Sequence, residues 1–445
     1  MSPKTHVLNV FMNRQSPSIV KAENIYLYDS EGKRYLDASS GPVACCLGYG
    51  LEEMGQALLE QVRQVSYAYR MDFTTPMLEE AARRISQATG GAMDKVFMVS
   101  GGSEATEIAV KIARKYHLDN GGPKRSKVIS RWLSYHGMTA GALSWSGMTQ
   151  RRIDYDPLLA ESCHIAPAHC YRCWFGRSPE SCNLECARAL ETEIMCQGPE
   201  TVAAFIAEPV SGMSLCAANP PDGYFALIRE ICDRHGVLLI LDEVMTGFGR
   251  TGKWFGCQHY GIWPDIMAAG KSLGGGHFPV GAALVSAKVA DTIANNSGIF
   301  GAGHTWAGNP LAAAVVNKTL DYFEKRGLID RAAELGDYLA KKLETLRRHP
   351  TVGDIRGKGL MRGVEFVQDK EARRSLDPKL MFWLQLAQES LARGLFLESS
   401  TGSDRGQAGD MVMFAPAYIA TEEQIDEIVD LFDQVLTDVE KKNGF

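Results

Sequence analysis

The sequence of 445 residues has no long hydrophobic run, no extended tract of like charge and no internal repeat. Its longest strongly apolar runs, such as Val237 to Leu241, are far shorter than the roughly 20 residues that a membrane-spanning helix needs. Basic residues occur in pairs such as Arg151-Arg152, and the formal net charge is −6, so we expect neither a membrane nor nucleic acid as a partner. Because Met1 to Asn13 do not read as an export signal, we expect a cytoplasmic location.

The composition is not typical of a disordered protein or of a small protein stabilised by disulfide bonds. Apolar residues make up 45% of the chain and charged residues 22%, which is typical of a globular protein. Eleven cysteines, an odd number in a chain of this length, indicate reduced thiols rather than a disulfide framework.

No Gly/Ser-rich or Pro-rich linker separates domains, so their boundaries must follow changes of pattern. From about Asp94 to Ala287, short apolar runs alternate with helical stretches, which predicts a largely parallel sheet. After Leu320 the pattern changes to long amphipathic helices, the last of which begins with the capping pair Thr421 and Gln424. We therefore predict an α/β protein with these parts: an N-terminal segment (1–60) that packs with the small domain, a large domain (61–320) with a cysteine-rich insertion (about 163–196), and a smaller α+β C-terminal domain (321–445).

A glycine-rich turn, Ser100 to Ala105, lies between a strand-like run and a helical stretch. Backbone N–H groups and the dipole of the following helix would allow Gly102 and Ser103 to bind a phosphate there. Taken alone, such a stretch is more often an ordinary tight turn.

Two carboxylates, Asp242 and Glu243, follow the apolar run Val237 to Leu241. Ligands of open parallel sheets bind at the carboxyl ends of the strands, and a carboxylate there can keep a heterocyclic nitrogen protonated. A helix cap or a metal ligand explains an isolated acidic pair equally well.

Lys271 is flanked by Gly270 and by Gly274 to Gly276, which would let a planar cofactor approach its amine closely. A solvated surface lysine is the common alternative. Tyr135 and His136 follow another strand-like run, which places an aromatic ring at the same edge of the sheet. A tyrosine in the protein core is the alternative here.

These stretches together resemble the class III aminotransferases, a group of fold type I pyridoxal-phosphate enzymes, over nearly the whole chain. The most specific resemblance is a series of four pieces around the lysine: Leu241-Asp242-Glu243-Val244, Gly247-Phe248-Gly249-Arg250-Thr251-Gly252, Pro264-Asp265-Ile266 and Gly270-Lys271. The resemblance implies a large, mostly parallel-sheet domain and a smaller α+β C-terminal domain.

The resemblance also implies a role for each matching residue. Lys271 would hold pyridoxal 5′-phosphate as a Schiff base, and Asp242 would pair with the ring nitrogen. The other residues implied at the cofactor are Gly102 and Ser103 at the phosphate, Tyr135 and Val244 on the two ring faces, His136 beside Tyr135, and Glu208 near the substrate. Thr305 resembles the family threonine that reaches the phosphate of the neighbouring subunit, which implies a homodimer with shared sites and leaves a tetramer open.

The implied activity is transfer of an amino group from an amine, ω-amino acid or amino acid to a 2-oxo acid by ping-pong kinetics. Racemases, aminomutases, decarboxylases and phospho-lyases use the same scaffold and lysine, and they remain the alternative. A cofactor-binding module without catalysis is a further alternative, which the presence of both Lys271 and Asp242 disfavours.

Substrate choice is less clear from the sequence. Relatives that use 2-oxoglutarate usually have an arginine shortly before the proline of a C-terminal strand, and that place holds Met413, which favours pyruvate. Arg405, in a glycine-rich stretch, is our candidate for a mobile substrate-binding arginine, with a solvated loop arginine as the alternative. We expect no metal in the active site, although the insertion has four cysteines that could hold a structural zinc: Cys170, Cys173, Cys182 and Cys186.

Overall fold

The computed structural model of the chain describes residues 6–12, 14 and 16–445. Its strands, in chain order, are β1 (Ile19–Glu23), β2 (Tyr26–Asp29), β3 (Arg34–Asp37), β4 (Lys95–Val99), β5 (Lys127–Arg131), β6 (Cys163–Ile165), β7 (Val202–Ala207), β8 (Leu238–Asp242), β9 (Ile266–Ala269), β10 (Gly281–Val285), β11 (Val352–Lys358), β12 (Met361–Asp369), β13 (Arg374–Ser375), β14 (Leu395–Phe396), β15 (Glu398–Ser400) and β16 (Asp410–Phe414). Its helices are α1 (Ser40–Val43, one irregular turn), α2 (Glu52–Gln64), α3 (Pro76–Ala88), α4 (Gly102–Asp119), α5 (Ala140–Trp145), α6 (Thr149–Arg152), α7 (Glu185–Gln197), α8 (Tyr224–His235), α9 (Ala287–Asn295), α10 (Pro310–Lys325), α11 (Leu328–Leu343), α12 (Phe382–Ala392) and α13 (Glu422–Asn443). None of these helices of the described chain is long and apolar enough to cross a membrane.

The central sheet has the strand order β4-β10-β9-β8-β7-β5-β6. Its strands run parallel except at β10, which is antiparallel to both β4 and β9. Every residue of β7, β8, β9 and β10 is buried, which explains why these strands read as continuous apolar runs. The predicted mostly parallel sheet is therefore confirmed.

Helices cover both faces of this sheet, and alternate residues of β8 pack into different clusters. Leu238 and Ile240 join the cluster that contains Ile108 and Ile112 of α4. Leu239 and Leu241 join the larger cluster on the other face, with Phe225 and Ile228 of α8. Because side chains alternate along a strand, Asp242 at the end of β8 falls on the α4 side and Glu243 on the opposite side.

The two smaller sheets come from the ends of the chain. One has the order β1-β2-β3-β14, and β14 runs parallel to β3. The other has the order β11-β12-β16-β15, with β13 paired to β12. Pairing of β3 with β14 ties the N-terminal segment to the C-terminal part of the chain, which supports the packing expected for residues 1–60. The exact domain boundaries stay a prediction.

Arg250 joins the large sheet region to the C-terminal part. Its guanidinium is buried and donates hydrogen bonds to the carbonyl oxygens of Leu360 (3.1 Å), Ala415 (3.0 Å) and Pro416 (2.7 Å). It also lies 4.7 Å from the ring centroid of Tyr418. All three hydrogen bonds come from Nη1, whereas Nε and Nη2 are buried without a hydrogen-bond partner among the described residues.

Two helical glycines differ in what a side chain would contact, and they provide a test of this packing. A Cβ on Gly336 of α11 would overlap the backbone of Gly359, whereas a Cβ on Gly55 of α2 would meet nothing within 4 Å. We expect Gly336→Ala to destabilise the fold by about 1–3 kcal/mol, because overpacking outweighs the better helix propensity of alanine. Gly55→Ala, the matched control, should stabilise the fold by up to about 1 kcal/mol. Thermal unfolding of both variants measures this, and equal melting temperatures would contradict the packing of α11 against Gly359.

Candidate active site

A cavity of about 170 Å³ lies at the carboxyl ends of β7, β8 and β9, beside the start of α4. An apolar cavity of about 150 Å³ holds a benzene ring, so this one has room for a single aromatic ring. Its lining consists of Gly102, Ser103, Tyr135, His136, Gly137, Glu208, Val210, Asp242, Val244, Met245 and Lys271. Every residue predicted at the cofactor except Thr305 is part of that lining.

Lys271 follows β9 and begins a short 3-10 turn with the left-handed backbone angle φ = 46°. A non-glycine residue rarely adopts this conformation, and such strain is concentrated at functional sites. Among the described residues, its Nζ has no hydrogen bond and no ion pair within 4.0 Å. Burial lowers the pKa of Lys271 from 10.5 to about 8. The side chain is therefore an unpaired amine that loses its proton near pH 8.

Asp242 lies in the cavity and is held in place by two hydrogen bonds. Its Oδ2 is 2.8 Å from Nδ1 of His136, and its Oδ1 accepts the backbone N–H of Val244 at 3.0 Å. Nε2 of His136 is buried without a hydrogen-bond partner among the described residues. His136 thus orients the carboxylate, a role that the sequence did not reveal.

Glu243 turns away from the cavity, as the alternation along β8 requires. Its carboxylate accepts backbone N–H groups from Gly256 (2.8 Å) and Cys257 (2.7 Å) and the hydroxyl of Thr246. It therefore fixes the loop after β8 rather than contacting a ligand. The two acids of the pair have separate functions, one in the cavity and one in the scaffold.

The glycine turn at the start of α4 packs tightly against the residues around it. A Cβ on Gly102 would lie 2.7 Å from Cγ1 of Val244, and a Cβ on Gly137 would overlap Ser103. Oγ of Ser103 accepts the backbone N–H of Met138 at 3.1 Å. Because α4 begins at Gly102, its first backbone N–H groups have no partners within the helix and can bind an anion.

Glu208 and Tyr135 complete the polar part of the cavity. Oε1 of Glu208 accepts the backbone N–H of Gly212 at 2.9 Å, whereas Oε2 is buried and lies 3.9 Å from the guanidinium of Arg131. Burial raises the pKa of Glu208 and also that of Tyr135. The cavity thus combines a helix start whose N–H groups can bind an anion, a hydrogen-bonded carboxylate, an aromatic side chain and an unpaired amine.

Two predicted residues lie elsewhere. Thr305 is exposed and does not line the cavity of Lys271. Arg405 is exposed in a separate cavity of about 1050 Å³ that also contains Arg172, Arg356 and Arg373. The larger cavity contains neither Lys271 nor Asp242, so we assign the chemistry to the smaller one. The proposed role of Arg405 in carboxylate binding stays a prediction.

The eleven cysteines, all within the described residues, form no disulfide. Cys170, Cys173 and Cys182 lie close enough to one another for their charges to interact, and all three affect the buried thiol of Cys186. In the described part of the chain, however, no group of three or more His, Cys, Asp or Glu residues is arranged to hold a metal ion. The geometry gives the zinc interpretation no support.

Besides Gly137, which adjoins the predicted His136 in the chain, sequence reasoning missed three residues at this site. Val210 and Met245 line the cavity beside the predicted Glu208 and Val244, and their proximity along the chain was the only available signal. Glu398, on β15, is the charged group with the largest influence on the proton affinity of Lys271, ahead of Asp242. It lies 127 residues from the lysine in sequence, and no motif marked it.

Comparison with known proteins identifies the family of the chain. The family described as "Aminotransferase class-III" matches residues 11–436. The uncharacterized aminotransferase YodT of Bacillus subtilis is 38% identical over 96% of this chain and 96% of its own length. Putrescine–pyruvate aminotransferase of Pseudomonas aeruginosa is 36% identical over 93% of this chain and 89% of its own length.

A solved structure gives the same result. The omega transaminase of Pseudomonas jessenii in complex with PMP has a TM-score of 0.90 and 33% identity, and the match covers 96% of this chain and 94% of that one. The family match spans most of the chain, and the fold is shared with a structure that carries PMP, the amino form of pyridoxal phosphate. The chain therefore belongs to the class III aminotransferases, the pyridoxal-phosphate-dependent enzymes of fold type I.

Proposed function

We propose that this enzyme transfers the amino group of a small amine, an ω-amino acid or an amino acid to a 2-oxo acid, with pyruvate as the acceptor. The reaction would proceed as two half-reactions with ping-pong kinetics. The observation that supports it most directly is the convergence of Lys271, Asp242 and the start of α4 on one cavity.

The residues of this cavity fit pyridoxal phosphate. The first N–H groups of α4, at Gly102 and Ser103, would bind the phosphate, since a helix start carries partial positive charge. Asp242, oriented by His136, would pair with the ring nitrogen. Tyr135 and Val244 would contact the ring faces, and Lys271 would form the covalent attachment.

When bound, pyridoxal phosphate supplies a carbonyl carbon that condenses with amines and a ring that accepts the electron pair of the bond that breaks. Nζ of Lys271 would be displaced by the substrate amine and would then move the proton from the substrate carbon. It can accept that proton because burial lowers its pKa to about 8. Asp242 would keep the ring nitrogen protonated, which makes the ring a stronger electron acceptor.

The choice of pyruvate as acceptor is supported by an apolar wall. Met413 of β16 is buried in one cluster with Val210 and Met245, and those two residues line the cavity. A second carboxylate, such as that of 2-oxoglutarate, would find no arginine at this place and would lose its hydration. The putrescine–pyruvate aminotransferase among the relatives is named for the same acceptor.

The first test separates transamination from the other reactions of this scaffold. Given an amine donor and no acceptor, the holoenzyme should lose the visible absorption of the lysine-bound cofactor and should regain it when pyruvate is added. A racemase would keep its absorption under these conditions. Lys271→Ala should abolish this band, whereas the matched control Lys325→Ala, at an exposed side chain, should retain it. Persistence of the band without Lys271 would contradict the assignment.

The second test uses the pKa of Lys271. In the folded protein this amine is neutral above about pH 8, and only a neutral amine attacks an aldehyde. The rate at which pyridoxal phosphate attaches to the apoenzyme should therefore rise with pH with a midpoint near 8, instead of near 10.5 as for a free lysine side chain. Stopped-flow absorbance measures both midpoints, with Nα-acetyl-lysine, whose side-chain amine is free, as the reference. Equal midpoints would contradict the desolvation of Lys271.

We also propose a homodimer with shared sites. Around Thr305 lies a patch of exposed apolar side chains, which we call the Trp306 patch: Tyr67, Tyr69, Met71, Phe73, Ile299 and Trp306. Tyr67 and Trp306 pack edge to face at 5.6 Å, and the patch has no covering element within the described chain. Exposed apolar patches of this kind mark protein interfaces, and a partner bound here would bring Thr305 to the second subunit.

The third test is the oligomeric state. Met71 is 78% exposed in the Trp306 patch, and Met195 is 58% exposed on α7. Met71→Glu should shift the protein towards the monomer and weaken cofactor retention, because it buries a charge in the interface. Met195→Glu, the same change outside the patch, should leave both unchanged. Analytical ultracentrifugation decides this, and a Met71→Glu variant as dimeric as the wild type would rule out the patch.

A further inference from the structure

Glu398 is a carboxylate beside the active site that the proposed mechanism does not use. It is the first residue of β15 and pairs with Met413 of β16. Its backbone N–H donates to Oγ of Ser39 at 3.0 Å, and the same hydroxyl donates to the carbonyl oxygen of Met413 at 2.7 Å. The backbone of Glu398 is therefore fixed by two neighbouring segments.

The strand pairing indicates the direction of its side chain. Residues that pair across neighbouring antiparallel strands point to the same face of a sheet. Met413 is buried in the same apolar cluster as Val210 and Met245, and these two residues line the cavity of Lys271. Glu398 is thus directed to the side of the sheet that faces the active site.

The charges around Glu398 agree with this position. Burial has the largest effect on the pKa of both Glu398 and Lys271. Among charged groups, Lys271 lowers the pKa of Glu398 the most, and Glu398 raises the pKa of Lys271 the most. No ion pair within 4.0 Å joins them, and the carboxylate has no hydrogen bond to any other described residue. Arg151 and Asp37 are the other charged groups that act on it. The side chain is half-buried, and a carboxylate that is partly removed from water and has no hydrogen-bond partner among the described residues is stabilised by a cation placed between it and the reacting amine.

We propose that Glu398 binds the second ammonium group of a diamine donor, whose first amino group reacts at Lys271. This inference rests on the proposed transamination and narrows its donor class to amines with a cationic far end. A carboxylate at the far end would be repelled, and an alkyl end would leave Glu398 unpaired. Arg151 is exposed and sits on α6, so it competes with the diamine for Glu398 from the solvent side.

The experiment compares three donors with the same four-carbon chain and different far ends. They are 1,4-diaminobutane, butylamine and 4-aminobutanoate, each reacted with the holoenzyme and pyruvate. We expect the wild type to have its highest kcat/KM with the diamine. In Glu398→Gln, the value for the diamine should fall about tenfold to a hundredfold, as expected for a lost charge-assisted hydrogen bond. Butylamine should change less than about twofold, and 4-aminobutanoate should improve.

Two further variants test the role of the charge itself. Glu398→Asp keeps the carboxylate but shortens the side chain by one methylene, so the preference should move to 1,5-diaminopentane. Arg151→Gln removes the competing cation and should lower the half-saturating concentration of the diamine in a titration of cofactor absorbance. Glu371→Gln, the same substitution at an exposed residue, should change none of these values. Melting temperature and cofactor content of each variant show that the protein remains folded and loaded.

The outcomes separate this inference from the function on which it rests. The inference is wrong if kcat/KM changes by the same factor for all three donors in Glu398→Gln, or if the wild type prefers butylamine. In either case Glu398 does not bind the far end of the donor, while transamination stands. If the wild type reacts with no amine, with either pyruvate or 2-oxoglutarate as acceptor, the proposed function itself is wrong.

Discussion

The alternation of side chains along β8 is the constraint on which the site depends. Leu238 and Ile240 point towards α4, so Asp242 must do so as well, whereas Glu243 points into the opposite layer. One residue of shift along the strand would exchange the two acids. Asp242 would then be in the scaffold, and Glu243, which fixes the loop through three hydrogen bonds, would be in the cavity.

Burial of the Lys271 side chain away from water determines the chemistry of the cavity. Burial lowers the pKa of its amine to about 8, while the nearby carboxylates of Glu398, Asp242 and Glu208 oppose that effect. The enzyme thereby gains an amine that is neutral often enough to react and basic enough to carry a proton. The same burial raises the pKa of Glu208 and Glu398, so the acids around the lysine hold less negative charge than their number indicates.

Close packing of glycines brings distant segments to the cavity. Gly102 allows α4 to begin against Val244, and Gly137 allows the loop after β5 to contact Ser103. A larger residue at either place would push the start of α4 away from Asp242. The position of the start of α4 relative to the carboxylate thus follows from close contacts that only glycine permits.

The sequence by itself determined the mostly parallel sheet, the capped last helix at Thr421 and the family, and with them Lys271, Asp242 and the glycine turn as candidates. These features are local, because apolar periodicity, turn chemistry and a short motif are each legible within a few residues. Only the tertiary structure showed that His136 orients Asp242, that Glu243 belongs to the scaffold and that Arg405 lies in another cavity. It alone also brought Glu398 to Lys271. These relations join residues that are distant in sequence, and they arise from strand register and from burial, which no local pattern encodes.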